Sequence, residues 1–402
     1  MDSRLGGWGE IFLLVSSLAG YVVQSQFAQH LQMDLGYRQP YFIFYLAHSS
    51  FSIIFPLHLA AISCLSGVSS EAYVRGLKLA LSQHFDSQHR HGTSRALSFP
   101  IAKFLKMIGL LTLGATVPSL LWYISVSLTS ISDVTAILNT NAFWTYALTV
   151  WLAGGKWQTH RLLAVIIAVS GVFLIVYGGN SRSSPSEGST IESKDILGDL
   201  LTLLASFAYS VYQVLYKLYA ALSLEPPPEV PVVRPRAISS ASHAPFLGDS
   251  GDPANLSHAP VYPTLGLHPN LLTTCIGLYT LVFLWIPIPL LHVTGIEPFR
   301  LPPDWQTWAS VLVTALCGVC YNAGFMVLLA LWGPVLATVA NLLTIVLVFL
   351  SDTIIGHAKD NVTVPSLGGA AMIVCAFAVL VAEAAIGERK RKSLVSVEDD
   401  AE

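Results

Sequence analysis

Ten stretches of predominantly apolar residues, each long enough to cross a bilayer, run through this 402-residue chain and constrain its fold more than any other feature. A hydrocarbon core of about 30 Å is crossed by roughly 20 helical residues. With no water there to satisfy backbone N–H and C=O groups, a run of this length closes its hydrogen bonds internally as a helix. The runs cover 9–28, 42–65, 104–125, 133–153, 160–178, 198–221, 271–293, 306–329, 335–355 and 364–386. Only 11% of the residues are charged, against about a quarter in a soluble protein. The expected fold class is therefore all-α, a polytopic membrane bundle of ten transmembrane helices.

Three connections are longer than the rest. Residues 66–100 read as a basic, His-bearing loop, 180–195 as a Ser-rich connection, and 222–268 as a disordered insert carrying nine prolines and little that could form a core. Lys and Arg favour the cytoplasmic side of a membrane. With the N-terminus inside, 16 of them fall on that side and five (Arg38, Arg182, Lys194, Arg300 and Lys359) on the other. Both termini and the Pro-rich insert are thus expected in the cytoplasm, and run 1 is expected to stay as a signal anchor for want of a cleavage site. Asn255, in an Asn-Leu-Ser sequon of the insert, should then escape glycosylation, and Asn361 lies too near run 10 to be a good acceptor. The membrane expected is an internal one, vacuolar or Golgi.

Five runs on either side of 180–195 suggest two repeats, and an odd number of spans forces them into opposite orientations. Shifting run 1 by 189 residues pairs Ser17 with Ser206 and Gln24 with Gln213; shifting run 4 by 202 pairs Asn139 with Asn341. The expected organisation is a first five-helix repeat at 1–179, the 180–195 connection, a second repeat at 196–386 and a cytoplasmic tail at 387–402.

Polar side chains are the informative ones inside a membrane, where each must find a partner or a wet path. In run 6, Ser206, Tyr209, Ser210, Gln213, Tyr216 and Lys217 recur at helical spacing on one face. Run 1 echoes this with Ser17, Tyr21 and Gln24. In run 4, Asp133, Thr140, Asn141 and Trp144 share a stripe, which would suit a polar ring-bearing solute. Run 8 offers Tyr321 and Asn322, and run 9 offers Thr338, Asn341 and Asp352. The candidate solute-binding set is Gln24, Asp133, Asn139, Asn141, Trp144, Tyr209, Gln213, Lys217, Asn322 and Asn341. Interhelical hydrogen bonding is the competing account of the same stripes. Capping competes at Asp133, snorkelling at Lys217, and for His48 in run 2 an interior structural role is the expectation.

Other classes find little support. A net charge of −3 gives no basic face for nucleic acid. The five cysteines all fall in apolar runs, and the Cys317–Cys320 pair lacks a second pair or nearby histidine for a metal. No HExxH motif or intramembrane aspartate pair speaks for an enzyme. No cofactor is expected; the partners expected are a small-molecule solute and the lipid bilayer, with a homodimer left open.

The segments ISDVTAILNTNAFWTYAL (131–148), LAVIIAVSGVFLIVYGG (163–179), YSVYQVLYKLYA (209–220) and FMVLLALWGPVLATVANLLTIVLVFLSDTIIG (325–356) resemble the EamA-like drug/metabolite transporters, and within them solute carrier family 35 subfamily F. The resemblance implies ten helices in two repeats, a central cavity and alternating access, with a thiamine-like cation among the candidate solutes. A nucleotide-sugar carrier and a non-transporting scaffold or receptor stand as alternatives; the first would want several intramembrane cations, and only Lys217 is available.

Overall fold

The computed structural model describes residues 8–87, 100–129, 131–152, 154, 157–178, 193–222, 266–347 and 363–399. Several expectations fall elsewhere: residues 88–99 of the basic loop, 179–192 of the Ser-rich connection, the insert from 223 to 265 with Asn255, and Asp352 and Asn361 all lie outside the described residues.

Among the described residues every regular element is helical. In chain order these are α1 (Trp8–Gln29), α2 (Pro40–Ser49), α3 (Ile54–Ser66), α4 (Ser70–Ser87), α5 (Ile101–Val126), α6 (Ile131–Leu138), α7 (Asn141–Leu152), α8 (Thr159–Gly178), α9 (Ser193–Leu215), α10 (Leu267–Phe283), α11 (Pro287–Val293), α12 (Trp305–Trp332), α13 (Pro334–Asn341) and α14 (Val364–Asp399). Six helical stretches are long and apolar enough to span a membrane: Trp8–Asp34, Pro40–Ser66, Ile101–Val126, Ile196–Ala220, Trp305–Trp332 and Val364–Ile386. α10 and α11 pass that test together but bend by 44° at the Leu284–Ile286 break. Thr159–Ile175 and Pro334–Leu347 are shorter apolar helices.

The sequence reading is corrected in four places. Residues 70–87, read as loop, form α4. Ala72, Tyr73, Leu77, Ala80, Leu81 and Phe85 recur on one buried face, and the polar residues between them lower the average below that of a span. That face packs on Phe55, Leu59 and Ile62 of α3, on Phe104 and Met107 of α5, and on Leu267 and Leu271 of α10. Run 4, read as continuous, breaks at Asn139–Thr140 into α6 and α7. The Pro-rich insert ends before its expected boundary, because Leu267 and His268 already belong to α10 and are buried. α14 runs on as helix through part of the segment read as a tail.

Close helix crossings depend on small residues, as expected where lipid offers no hydrophobic drive to association. α8 lies along α14 with Gly171 against Gly369; a Cβ at Gly171 would stand 2.6 Å from the Gly369 carbonyl oxygen. α1 lies along α12, where a Cβ at Gly20 would meet the Cys317 carbonyl at 3.0 Å. α5 lies along α9, and α10 presses Gly277 against the Phe51–Ser52 backbone between α2 and α3. Further pairs are α2 with α5 and with α12, α10 with α5 and with α12, and α7 with α9 and α13. At one end Arg161 Nε donates to Glu383 Oε1 at 2.7 Å, tying α8 to α14. At the start of α2 the Glu297 carboxylate accepts the backbone N–H groups of Tyr41 at 3.0 Å and Phe42 at 3.1 Å. Those are donors a helix N-terminus leaves unpaired. Burial there holds the Glu297 carboxyl above the usual carboxylate range.

Candidate functional site

The interior of the bundle holds a cavity of about 80 Å³. Space of that size takes several waters, at roughly 10–15 Å³ each. Its wall is assembled from eight helices: Tyr21 and Gln24 of α1, His48 of α2, Pro118, Ser119, Trp122 and Tyr123 of α5, Leu138 at the end of α6, Asn141 at the start of α7, Tyr209 of α9, Tyr321 and Asn322 of α12, and Asn341 at the end of α13. A smaller extension of about 20 Å³ shares His48, Ser119, Tyr209 and Asn322 and adds Tyr212, Thr273 and Met326, among others.

Interrupted helices supply part of this wall. A break in a helix exposes backbone polar groups that membrane proteins tolerate where the backbone lines a cavity or is buried in protein. Leu138 and Asn141 flank the α6–α7 break, and Asn341 ends α13 just before a turn at Leu342. Pro118 lies inside α5 and has no N–H to give the carbonyl four residues back. The break at α6–α7 is itself braced: Asn139 Nδ2 donates to the Thr135 carbonyl at 2.7 Å, and the Thr140 and Ser206 hydroxyls lie 2.9 Å apart.

The aromatic members form a connected surface. Tyr21 and Tyr321 have ring centroids 5.0 Å apart, Tyr321 and Phe325 5.4 Å, and Trp122 and Tyr123 4.9 Å. Gln24 Nε2 donates to the Tyr123 hydroxyl at 3.3 Å, and the Tyr209 and Tyr321 hydroxyls are 3.4 Å apart. Other polar groups are unspent. The side-chain oxygens of Asn141 and Asn341 and Nδ1 of His48 are buried with no hydrogen-bond partner. Buried polar atoms are nearly always paired. None of the lining residues is Asp, Glu, Lys or Arg.

Of the residues singled out from sequence, the structure gathers Gln24, Asn141, Tyr209, Asn322 and Asn341 on this wall. Asp133, Asn139, Trp144, Gln213 and Lys217 are not on it. Asp133 is in the first turn of α6, and Asn139 is buried at the break it braces. Trp144 packs edge-on against Phe207, ring centroids 5.6 Å apart. Lys217 Nζ donates to the Ala330 carbonyl at 2.5 Å, across to the end of α12. Of the α9 stripe Tyr209 reaches the cavity, while Ser206, Ser210, Gln213 and Tyr216 are buried. Ser206 and Ser210 are fully buried, and Ser210 donates to the Asn141 carbonyl at 3.0 Å, which is helix-to-helix bonding. Gln213 is 0% exposed; its amide interacts with the Tyr209 hydroxyl, though not in ordinary hydrogen-bond geometry.

Sequence reasoning passed over the α5 wall of Pro118, Ser119, Trp122 and Tyr123. Trp and Tyr near the end of an apolar run read as interface anchors; a proline eight residues before that helix ends was the available signal of an interior irregularity.

No protein-family model matches the sequence. The thiamine-repressible mitochondrial transport protein THI74 of Saccharomyces cerevisiae is 25% identical over 357 residues, which cover 85% of this chain and 83% of that protein. Solute carrier family 35 member F5 of Mus musculus is 23% identical over 240 residues, 59% of this chain and 33% of that one. An uncharacterized vacuolar membrane protein of Saccharomyces cerevisiae is 20% identical over 262 residues, 64% of this chain and 56% of its own. The match therefore spans only a third to somewhat over half the length of the last two relatives. This chain is a multi-pass integral membrane protein that resembles the drug/metabolite transporters, and within them solute carrier family 35 subfamily F.

Proposed function

We propose that this chain transports a small, polar, ring-bearing solute, neutral or cationic, across an internal membrane by alternating access around the cavity. The observation that carries the reading is the wall itself: four tyrosines, a tryptophan, three asparagines and a glutamine, with no charged side chain among the lining residues. Aromatic faces attract a cation or stack on a planar ring. The amides replace the hydration the solute leaves behind. An anionic diphosphate would find no cationic partner there, since Lys217 is bonded elsewhere. The names of the relatives support transport as the activity.

Ten spans in two inverted repeats fit many of the helix pairings, with α7–α9 standing outside the exchange. Counting α2–α3, α6–α7, α10–α11 and the stretch from α13 as single spans, exchange of the two halves turns the α1–α12 pair into the α9–α5 pair. It likewise turns α2–α5 into α10–α12 and α2–α12 into α10–α5, and returns α8–α14, α7–α13 and α2–α10 to themselves. Under such an exchange the cavity would lie where the halves meet, each half offering a counterpart wall to rock against. The basic-residue asymmetry supports a cytoplasmic location for both termini and the insert, and the vacuolar relative favours an internal membrane.

The test is uptake by the purified full chain in liposomes, screened with thiamine, choline, neutral amino acids and a UDP-sugar. Saturable uptake of a cationic or neutral member, cut at least tenfold by Asn341→Leu, supports the reading. Uptake of the UDP-sugar alone would replace it.

A further inference from the structure

We propose that an anionic phospholipid docks where α4 and the start of α5 present their cations side by side at the membrane surface. The inference stands apart from the transport reading, because it concerns the outside of the bundle.

On α5, Lys103, Lys106, Leu110, Leu113 and Val117 are all exposed. At about 100° per residue they fall within an arc of about 80°, so the two lysines head a stripe whose apolar members face lipid. The 26 residues of α5 run about 39 Å, roughly 9 Å more than a hydrocarbon core. A charge within that core is costly, so the excess belongs at the lysine end and sets both ammonium groups at headgroup depth.

α4 lies at the same depth. Its buried face, with Tyr73, Leu77 and Phe85, packs against Phe104 and Met107, the residues that follow each lysine on α5. Its other face leaves Val74, Arg75 and Lys78 exposed. The Lys and Arg residues of α3, α4 and α5 are Arg75, Lys78, Lys103 and Lys106, and the acids are Glu71 and Asp86. Glu71 is ion-paired to Arg75, whereas Lys78, Lys103 and Lys106 make no ion pair with the described residues.

A phospholipid fits this arrangement better than a free anion. Its head meets Lys78, Lys103 and Lys106, while its acyl chains run down Leu110, Leu113 and Val117. A free anion gains nothing from that apolar stripe. Occupancy also braces the bundle. α4 packs on Leu222 and Leu267, which flank the Pro-rich insert, and His84 Nε2 lies 3.0 Å from the Tyr219 carbonyl at the end of α9.

The test titrates the delipidated full chain with phosphatidylserine and with phosphatidylcholine, reading bound lipid by native mass spectrometry and stability by the melting curve. Phosphatidylserine should bind at least about tenfold more tightly and raise the melting temperature further. A cation near an anionic lipid surface contributes about fivefold, so Lys78→Gln, Lys103→Gln and Lys106→Gln should each remove about that factor, and Lys103→Arg should keep it. All three lysines are exposed, so the lipid-free melting curves should not shift. Arg300→Gln is the control that should leave the preference unchanged: Arg300 is exposed in the loop before α12, beside Phe299, which packs with Trp122 and Val126 at the opposite end of α5. The inference is overturned if the two lipids bind alike, or if the chain with all three lysines replaced keeps the preference. It is overturned too if inorganic phosphate raises the melting temperature as far as phosphatidylserine does, since the site would then be one for a free ion.

Discussion

Replacing Gln213 by Leu should raise stability and lower transport together, a combination that packing alone does not produce. Gln213 is fully buried on α9; its amide interacts with the Tyr209 hydroxyl but makes no hydrogen bond of ordinary geometry. A buried polar group left unpaired costs about 1–3 kcal/mol, and an apolar group of similar size removes that cost. Leu also keeps helix propensity. The variant should therefore unfold about 1–3 kcal/mol less readily, read as a higher melting temperature or a later denaturant midpoint. A transporter has a reason to keep such a group: in the opposite access state the residue meets water or solute. Removing it there forfeits a similar free energy, roughly a five- to hundredfold loss in apparent affinity. The assay pairs a thermal-shift curve with uptake at equal protein density, and Leu204→Met, on the lipid-exposed side of α9, is the control expected to change neither. A lower melting temperature would mean that the amide is satisfied, and the reasoning fails at its first step. A higher one with unchanged uptake would mean that Gln213 never joins the path.

Gly171→Val should break the α8–α14 pairing, because even its Cβ would stand 2.6 Å from a backbone oxygen that cannot move aside alone; the cost is at least the 1–3 kcal/mol of ordinary overpacking, read as loss of monodisperse protein, and normal yield with an unshifted melting curve would refute the crossing. Burial raises the Glu297 carboxyl above its ordinary range, so the folded chain holds that proton more tightly than the unfolded one. Its contribution is complete below the unfolded-state value and falls as pH rises through the folded-state value. Melting temperature against pH should show this decline from the ordinary carboxylate range upward, and Glu297→Gln should flatten it. A protease-cleavable tag in the 222–268 insert should be cut on sealed vesicles with the cytoplasmic face outward; cleavage only after the membrane is opened would reverse the proposed topology.

The six long spans were legible because hydrophobicity over twenty residues is a summed, redundant signal. Helix breaks were not. Asn139–Thr140 looks like two more polar residues on a stripe, and only the bonds to Thr135 and Ser206 show that the helix stops there. The same ambiguity governed the site. Tyr209 and Gln213 share a face of α9, yet four residues apart one reaches the cavity and the other is sealed against neighbouring helices, a distinction set by crossing positions. Asn341 was legible through its pairing with Asn139, although it is Asn141, two residues on, that faces the cavity with it. α4 escaped notice because its apolar face is diluted by serine, histidine and charge, a pattern that moment rather than mean would have caught.

The most direct measurement of the central claim is a solute-bound structure of the full chain with the tightest-binding probe of the uptake screen. Density enclosed by Tyr21, Gln24, Tyr321 and Asn341, with a polar atom of the solute within hydrogen-bond distance of the Asn141 or Asn341 side chain, is the predicted result. Saturable transport with the solute held outside that wall, and these amides still unpaired, would contradict it.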